Sequence, residues 1–177
     1  MIQEIYQKAL KFAGEKHANQ QVPGSSANYL LHISNVAMEV LQSHAATPDF
    51  DLELAVQTAI LHDTIEDTAA TFDEVAENFG GKVAKAVSAL SKNKNLSTKQ
   101  EQMEDSLKRI NACDKEAGIV KLADRITNLQ GPPYHWTKEK AASYREEAIL
   151  ILARLKGKNE YLESRLAAKI EAYKQYL

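Results

Sequence analysis

Between Leu52 and His62 the chain reads Leu-Glu-Leu-Ala-Val-Gln-Thr-Ala-Ile-Leu-His, apolar nearly all round a helical turn. A helix of that character is stable in water only when other elements cover it on every side, so it belongs at the centre of the fold. The flanking segments carry the covers. Ile5, Leu10, Phe12 and Ala13 give a first helix its apolar side, and the breakers Pro23, Gly24, Ser25 and Ser26 mark a loop from Gln20 to Asn28. A second helix is predicted from about Tyr29 to His44, where Tyr29, Ile33, Val36, Ala37, Val40 and Leu41 keep a helical repeat. Thr47-Pro48 then reads as a helix restart, because proline is tolerated at the first helical position.

The later punctuation is equally regular. Thr71 to Glu74 has the spacing of a capping box, and Gly80-Gly81 stops or bends the helix it opens. Val83 to Leu90 continues as helix, followed by a Lys- and Asn-rich loop from Ser91 to Ser97. Helices over about Thr98–Asn111 and Asp114–Gln130 come next, the second ended by Pro132-Pro133. Thr137 caps a helix from Lys138 to Lys156, Gly157 ends it, and Asn159 caps the last. With 7 Gly and 4 Pro placed mostly between periodic segments and no strand alternation, the expectation is one all-α domain spanning residues 1–177.

Charge is unevenly distributed. No Lys or Arg occurs from His17 to Gly81, a stretch holding Glu39, Asp49, Asp51, Glu53, Asp63, Glu66, Asp67, Asp73, Glu74 and Glu77. Such a chain lacks the broad basic surface of a nucleic-acid clamp. An acidic half facing a basic half suits a divalent cation beside a phosphorylated small molecule; a solvated acidic face is the alternative. The single Cys113 excludes an intrachain disulfide or thiolate zinc site and is expected to be a buried, inert thiol. Without a secretory core near the N-terminus or an apolar run of about 20 residues, a cytoplasmic protein free of the membrane is expected.

The chemistry concentrates at His62-Asp63, followed by Glu66 and Asp67. Imidazole and carboxylate together suit borderline-hard divalent ions such as Mn or Fe. Adjacent helical residues point about 100° apart, yet at a helix end both can converge on one ion. Burying this much negative charge is tolerable with a bound cation; the alternative is an exposed turn with hydrated acids. His32, on the apolar side of the second helix, is either a hydrogen-bonded core residue or a ligand. Asp124 lies in the apolar run Ile119–Leu129 with Lys121 and Asn128 on its face, either as a Lys121–Asp124 surface pair or as a further ligand.

Taken in order, His32, His62-Asp63 and Asp124 resemble the H…HD…D signature of the HD phosphohydrolase superfamily. His62-Asp63-Thr64-Ile65-Glu66-Asp67-Thr68 is similar to the HDxxEDT motif of RelA/SpoT-type alarmone hydrolases, as Lys121-Leu122-Ala123-Asp124-Arg125 with Asn128 is to KLADRxxN. His17-Ala18-Asn19-Gln20 leading to Tyr29-Leu30-Leu31-His32 resembles HxGQ…PYxxHP. The resemblance spans roughly Ala9 to Leu129 and implies an HD-domain helical bundle of the small alarmone hydrolase type. It implies one metal ion, Mn2+, held by His32, His62, Asp63 and Asp124, with Glu66 and Asp67 positioning and deprotonating the attacking water. Asn128 would contact the sugar or 5′ side, with Lys121 and Tyr29 as further substrate-binding residues. The implied reaction removes pyrophosphate from the 3′ position of guanosine tetra- or pentaphosphate.

Departures from the pattern fall on substrate contacts. Gln21-Val22-Pro23-Gly24 stands where the family has an Arg-Lys pair, Asn28 and Ile33 replace prolines, and Gln130 stands where an Arg is usual. The same site could therefore serve an adenine alarmone, NADPH or a nucleoside monophosphate, or a sensor without turnover. Replacement cations could come from Lys82, Lys85, Lys92, Lys94 and Lys99, unless that stretch is only a solvated loop. Pro132-Pro133-Tyr134-His135-Trp136 could stack a purine, or serve as a helix stop with a core Trp.

Overall fold

Ten α-helices and a terminal 3-10 turn account for most of the chain in a computed structural model that describes residues 1–177. They are α1 (Ile2–Lys16), α2 (Leu30–Ala46), α3 (Leu52–Leu61), α4 (Thr64–Asp67), α5 (Phe72–Phe79), α6 (Gly81–Leu90), α7 (Lys99–Asn111), α8 (Lys115–Asn128), α9 (Lys138–Arg154) and α10 (Glu160–Ala172), then Tyr173–Tyr176. No named strand occurs; one antiparallel bridge, Gln21 to Asn28, closes the loop between α1 and α2. No helix is long and apolar enough to cross a membrane.

As its sequence requires, α3 is covered on all sides, by α1, α2, α6 and α8. Ala55, Val56, Ala59, Ile60 and Leu61 are fully buried. Its partner at the centre is α8, in which every residue from Glu116 to Thr127 is buried. That depth is not legible from hydropathy, because Glu116, Lys121, Asp124 and Arg125 are buried with the rest. Each of these charges has a partner. Glu116 accepts the Asp51 backbone N–H at 2.8 Å, and Arg125 lies over the Tyr144 ring, 4.3 Å from its centroid, with Glu147 at 3.3 Å.

Local signals set the helix ends with one exception. Pro48 does not start α3; it lies in the connecting loop, and Asp51 caps the helix by accepting the Leu54 N–H at 3.0 Å. The Asp51 side chain satisfies an orphan donor, which a proline at the first position only avoids. Thr71 accepts from Glu74 N at 3.2 Å, whereas the reciprocal capping box forms at Thr98 and Glu101. Gly80, at φ 89° and ψ 157°, separates α5 from α6 in a conformation essentially restricted to glycine. On α1 the buried residues are Ala9 and Ala13, while Ile5, Leu10 and Phe12 are only half-buried, because small side chains let α1 approach α3 closely.

Candidate metal and nucleotide site

The end of α3 and the faces of α2 and α8 bring four residues to one point. His62 and Asp63 follow the last residue of α3, His32 lies in the first turn of α2, and Asp124 is in the second half of α8. The Nε2 atoms of His32 and His62 stand 3.3 Å apart. Two donors about 2.1 Å from one ion at right angles are about 3.0 Å apart, so this spacing is that of neighbouring ligands. Asp63 Oδ2 lies 2.9 Å from His62 Nε2 and 3.8 Å from His32 Nε2. Asp124 Oδ1 lies 3.5 Å from His32 Nε2 and 3.8 Å from His62 Nε2. His32, His62 and Asp124 are buried and offer one ligand atom each within 4.8 Å of one another; Asp63, beside them, is half-buried.

A second layer fixes these groups. His62 Nδ1 bonds the Ala59 carbonyl at 2.8 Å, which orients the ring and directs Nε2 inward. The Tyr29 hydroxyl donates to Asp63 Oδ2. Asn128 Nδ2 donates to Asp124 Oδ1 at 2.6 Å, and Lys121 Nζ to Asp124 Oδ2 at 2.9 Å. The Lys121–Asp124 pair is therefore present but buried, not on the surface, because α8 is central.

Electrostatically the cluster is a cation trap. Burial works against charge on His62, but the Asp63 carboxylate beside it and Asp124 outweigh that, and the imidazole is pushed up to about 9. Burial likewise opposes charge on Asp63, yet His62 and the Tyr29 hydrogen bond hold its carboxyl down at about 2. Asp124 resists its own burial through Lys121, His32 and His62 and lies well below the usual carboxylate range. Burial, then Asp63, push Tyr29 far up, so its hydroxyl remains a donor. Without a metal, a proton on His62 supplies the positive charge; the two imidazole and two carboxylate donors fit a divalent ion in its place.

Glu66 and Asp67 flank this cluster on α4. Glu66 Oε2 accepts the Lys92 backbone N–H at 2.7 Å, and the Glu66 carbonyl accepts Lys94 Nζ at 2.7 Å. The Lys-rich loop is thus anchored beside the cluster; Lys82, in contrast, pairs with Asp114 on α8's leading edge, 3.8 Å away. Asp67 Oδ2 accepts Gln20 Nε2 at 3.1 Å.

Next to His32 opens a cavity of about 310 Å³, lined among others by Val22, Pro23, Asn128, Gln130, Trp136 and Tyr144. It lies at the small end of ligand cavities. No Lys, Arg, Asp or Glu lines it. Val22, Pro23 and Gln130, the positions that depart from the family's basic residues, form part of its wall. Trp136 is not a core residue: it is half-buried, packs edge-on to Tyr144 at 5.1 Å and faces this cavity. Tyr144 and Tyr173, also in the lining, carried no signal in the sequence because their helices share no motif with the cluster. Cys113 lies away from this region, only half-buried, its thiol pushed up by burial.

An all-α bundle whose central helix ends in His-Asp, facing a second His and a distant Asp, defines the HD class of metal-dependent phosphohydrolases. The HD domain model matches residues 9–160. A zebrafish (Danio rerio) protein named guanosine-3′,5′-bis(diphosphate) 3′-pyrophosphohydrolase MESH1 is 32% identical over 164 residues, covering 90% of this chain and 88% of its own. An Aquifex aeolicus guanosine-3′,5′-bis(diphosphate) 3′-pyrophosphohydrolase is 34% identical over 154 residues, 86% of this chain but 21% of that longer protein. A solved structure, described as a metazoan ortholog of SpoT that hydrolyzes ppGpp and plays a role in starvation responses, superposes with a TM-score of 0.82 at 29% identity, over 95% of this chain and 94% of that one. The chain belongs to the HD-domain family, in its MESH1/SpoT-type branch.

Proposed function

We propose that this protein is a Mn2+-dependent hydrolase that removes pyrophosphate from the 3′ position of a nucleotide alarmone of the (p)ppGpp type. The observation that carries the reading is the convergence of His32, His62 and Asp124, with Asp63 beside the two imidazoles, next to an uncharged cavity. These four residues would hold the ion, and their mixed nitrogen and oxygen set suits manganese better than a thiophilic metal. A bound divalent ion lowers the pKa of water and offsets charge on phosphoryl oxygens.

The chain's own groups do the rest. Tyr29 and Ala59 fix Asp63 and His62, while Lys121 and Asn128 fix Asp124, so the ligands need no rearrangement. Asp67, whose Oδ1 has no protein partner, takes the proton of the attacking water. Glu66 keeps one oxygen for orienting that water while the other holds the Lys92 loop, whose Lys94 ammonium already rests on the Glu66 carbonyl and keeps a cation beside the site. The nucleoside lies in the cavity, its base against Trp136 and its sugar near Asn128.

The uncharged lining favours a second reading, in which an adenine alarmone is accepted as readily. No carboxylate is present there to accept the N1–H and N2–H2 donors that set guanine apart. The deciding experiment supplies a panel of guanine and adenine alarmones, NADPH and nucleoside monophosphates with added Mn2+ and identifies the product. Asp63→Ala should lose both metal and turnover, whereas Asp67→Ala should keep the metal and lose turnover. Full activity of metal-free Asp63→Ala protein refutes the mechanism, and tight binding without product makes the protein a sensor.

A further inference from the structure

Beyond the ligands and their immediate supports, a chain of side chains runs from the end of α1 to Asp67. His17, buried at 1% exposure, places Nδ1 2.6 Å from Gln20 Oε1. Gln20 Nε2 in turn donates to Asp67 Oδ2 at 3.1 Å. The first two members are fixed by their backbone. His17 N donates to Ala13 O at 2.8 Å, Gln20 N to His17 O at 3.0 Å, and Tyr29 N to Gln20 O at 2.9 Å. The His17 ring also packs on Tyr29, centroids 5.1 Å apart, and Tyr29 holds Asp63.

We infer that His17 and Gln20 are positioning residues for Asp67, acting as a one-way hydrogen-bond relay. The direction follows from donor and acceptor inventories. A carboxylate only accepts, so Asp67 selects the amide orientation with nitrogen facing it; the flipped amide would set oxygen against oxygen. The amide oxygen then faces His17 and requires Nδ1 to carry the proton. This leaves Nε2 bare, and Nε2 is buried with no partner. Burial pushes His17 below the ordinary histidine value, as a neutral ring with one proton requires. Asp67 itself is exposed, and without the relay its side chain would sample several rotamers around the reacting water. The relay ties Oδ2 and leaves Oδ1 for the proton transfer assigned to it above, on which reading this inference rests.

The test combines turnover with a readout that needs none. Gln20→Leu, at a half-exposed position that folding tolerates, is expected to lower kcat by about 10- to 100-fold, with KM within about twofold and Mn2+ content unchanged. His17→Leu should do the same, His17→Asn, which can return a donor near Nδ1, should restore most of the rate, and the double Leu variant should be no slower than Gln20→Leu alone. Wild-type kcat in Gln20→Leu, or full additivity of the two losses, overturns the relay. Independently, imidazole ¹⁵N shifts of the full chain loaded with Mg2+ should show His17 as the Nδ1–H tautomer, with the Nε2–H form gaining in Asp67→Ala. An Nε2–H tautomer in the wild type overturns the relay even if the protein turns over alarmone. A wild type without alarmone hydrolysis instead overturns the functional reading, and the tautomer still decides the relay.

Discussion

Metal uptake by this protein should release a proton, and the amount follows from the site. In the metal-free protein His62 is pushed up to about 9, mainly by Asp63, against the burial that opposes its charge. A metal needs the bare Nε2, so the proton must leave first. At pH 7, about two units below that value, His62 is almost fully protonated, which weakens metal binding on the order of 100-fold, or about 3 kcal/mol, relative to pH above 9. Isothermal titration with Mn2+ in buffers of different ionisation enthalpy should count close to one proton released per ion at pH 7. The count should fall toward zero above pH 9, and between pH 7 and 9 the apparent Kd should tighten about tenfold per unit. The same shift sets the stability of the metal-free protein. A folded value near 9 against 6.5 unfolded contributes about 3 kcal/mol, complete below pH 6.5 and lost as pH rises through 9. Asp63 and Asp124, shifted down, register the same attraction from the other side, and their share is lost only as pH falls below about 4. Metal-free melting temperature should therefore decline between pH 6.5 and 9 while the Mn2+-loaded protein stays level. Proton-free metal uptake at pH 7 would refute the electrostatic account.

Three further outcomes are expected. Lys121→Met leaves Asp124 buried without its ammonium; metal-free protein should lose about 3–5 kcal/mol, near 10 °C in melting temperature, and Mn2+ should recover more of it than in the wild type. Trp136→Ala should raise KM about 10-fold with kcat within about threefold, the loss of one base-stacking surface, as steady-state kinetics on the preferred nucleotide would report. Gly80→Ala meets no atom within 4 Å, so its cost of about 1–3 kcal/mol is backbone strain alone, measurable by denaturant unfolding.

Much of the site is legible in the chain because helix ends and short motifs are local. Thr98, Gly80 and Asn159 mark where helices begin and stop, though the Asp51 cap is missed in favour of Pro48, and His62-Asp63 stands out at the end of an all-round apolar helix. The residues alone leave His32 and Asp124 open between core or surface pairing and ligation, and it is the resemblance of the H…HD…D order to the HD pattern that singles them out. Partner choice is different. That Glu66 holds Lys92, that Gln20 holds Asp67 and that Lys121 is buried with Asp124 depend on contacts spanning 26, 47 and 3 residues. Even the shortest of these takes its burial from distant helices.

The acidic stretch from His17 to Gly81 shows the same division. Its lack of Lys and Arg is a fact of sequence, and it fixes that every ammonium or guanidinium neutralising it comes from outside. Tertiary structure decides which acids receive one: Glu39 meets Arg165 at 2.6 Å, Glu74 meets Lys16 at 2.6 Å and Asp49 meets Lys115 at 2.9 Å. Asp63 is left facing two imidazoles, and Asp67 a neutral amide. Composition and periodicity determined an all-α chain with His62-Asp63 at the end of its most apolar helix, because helix formation is set by neighbours within a turn or two. Packing of α2, α3 and α8 alone decided that two Nε2 atoms stand 3.3 Å apart, since converging directions are a property of helices in contact.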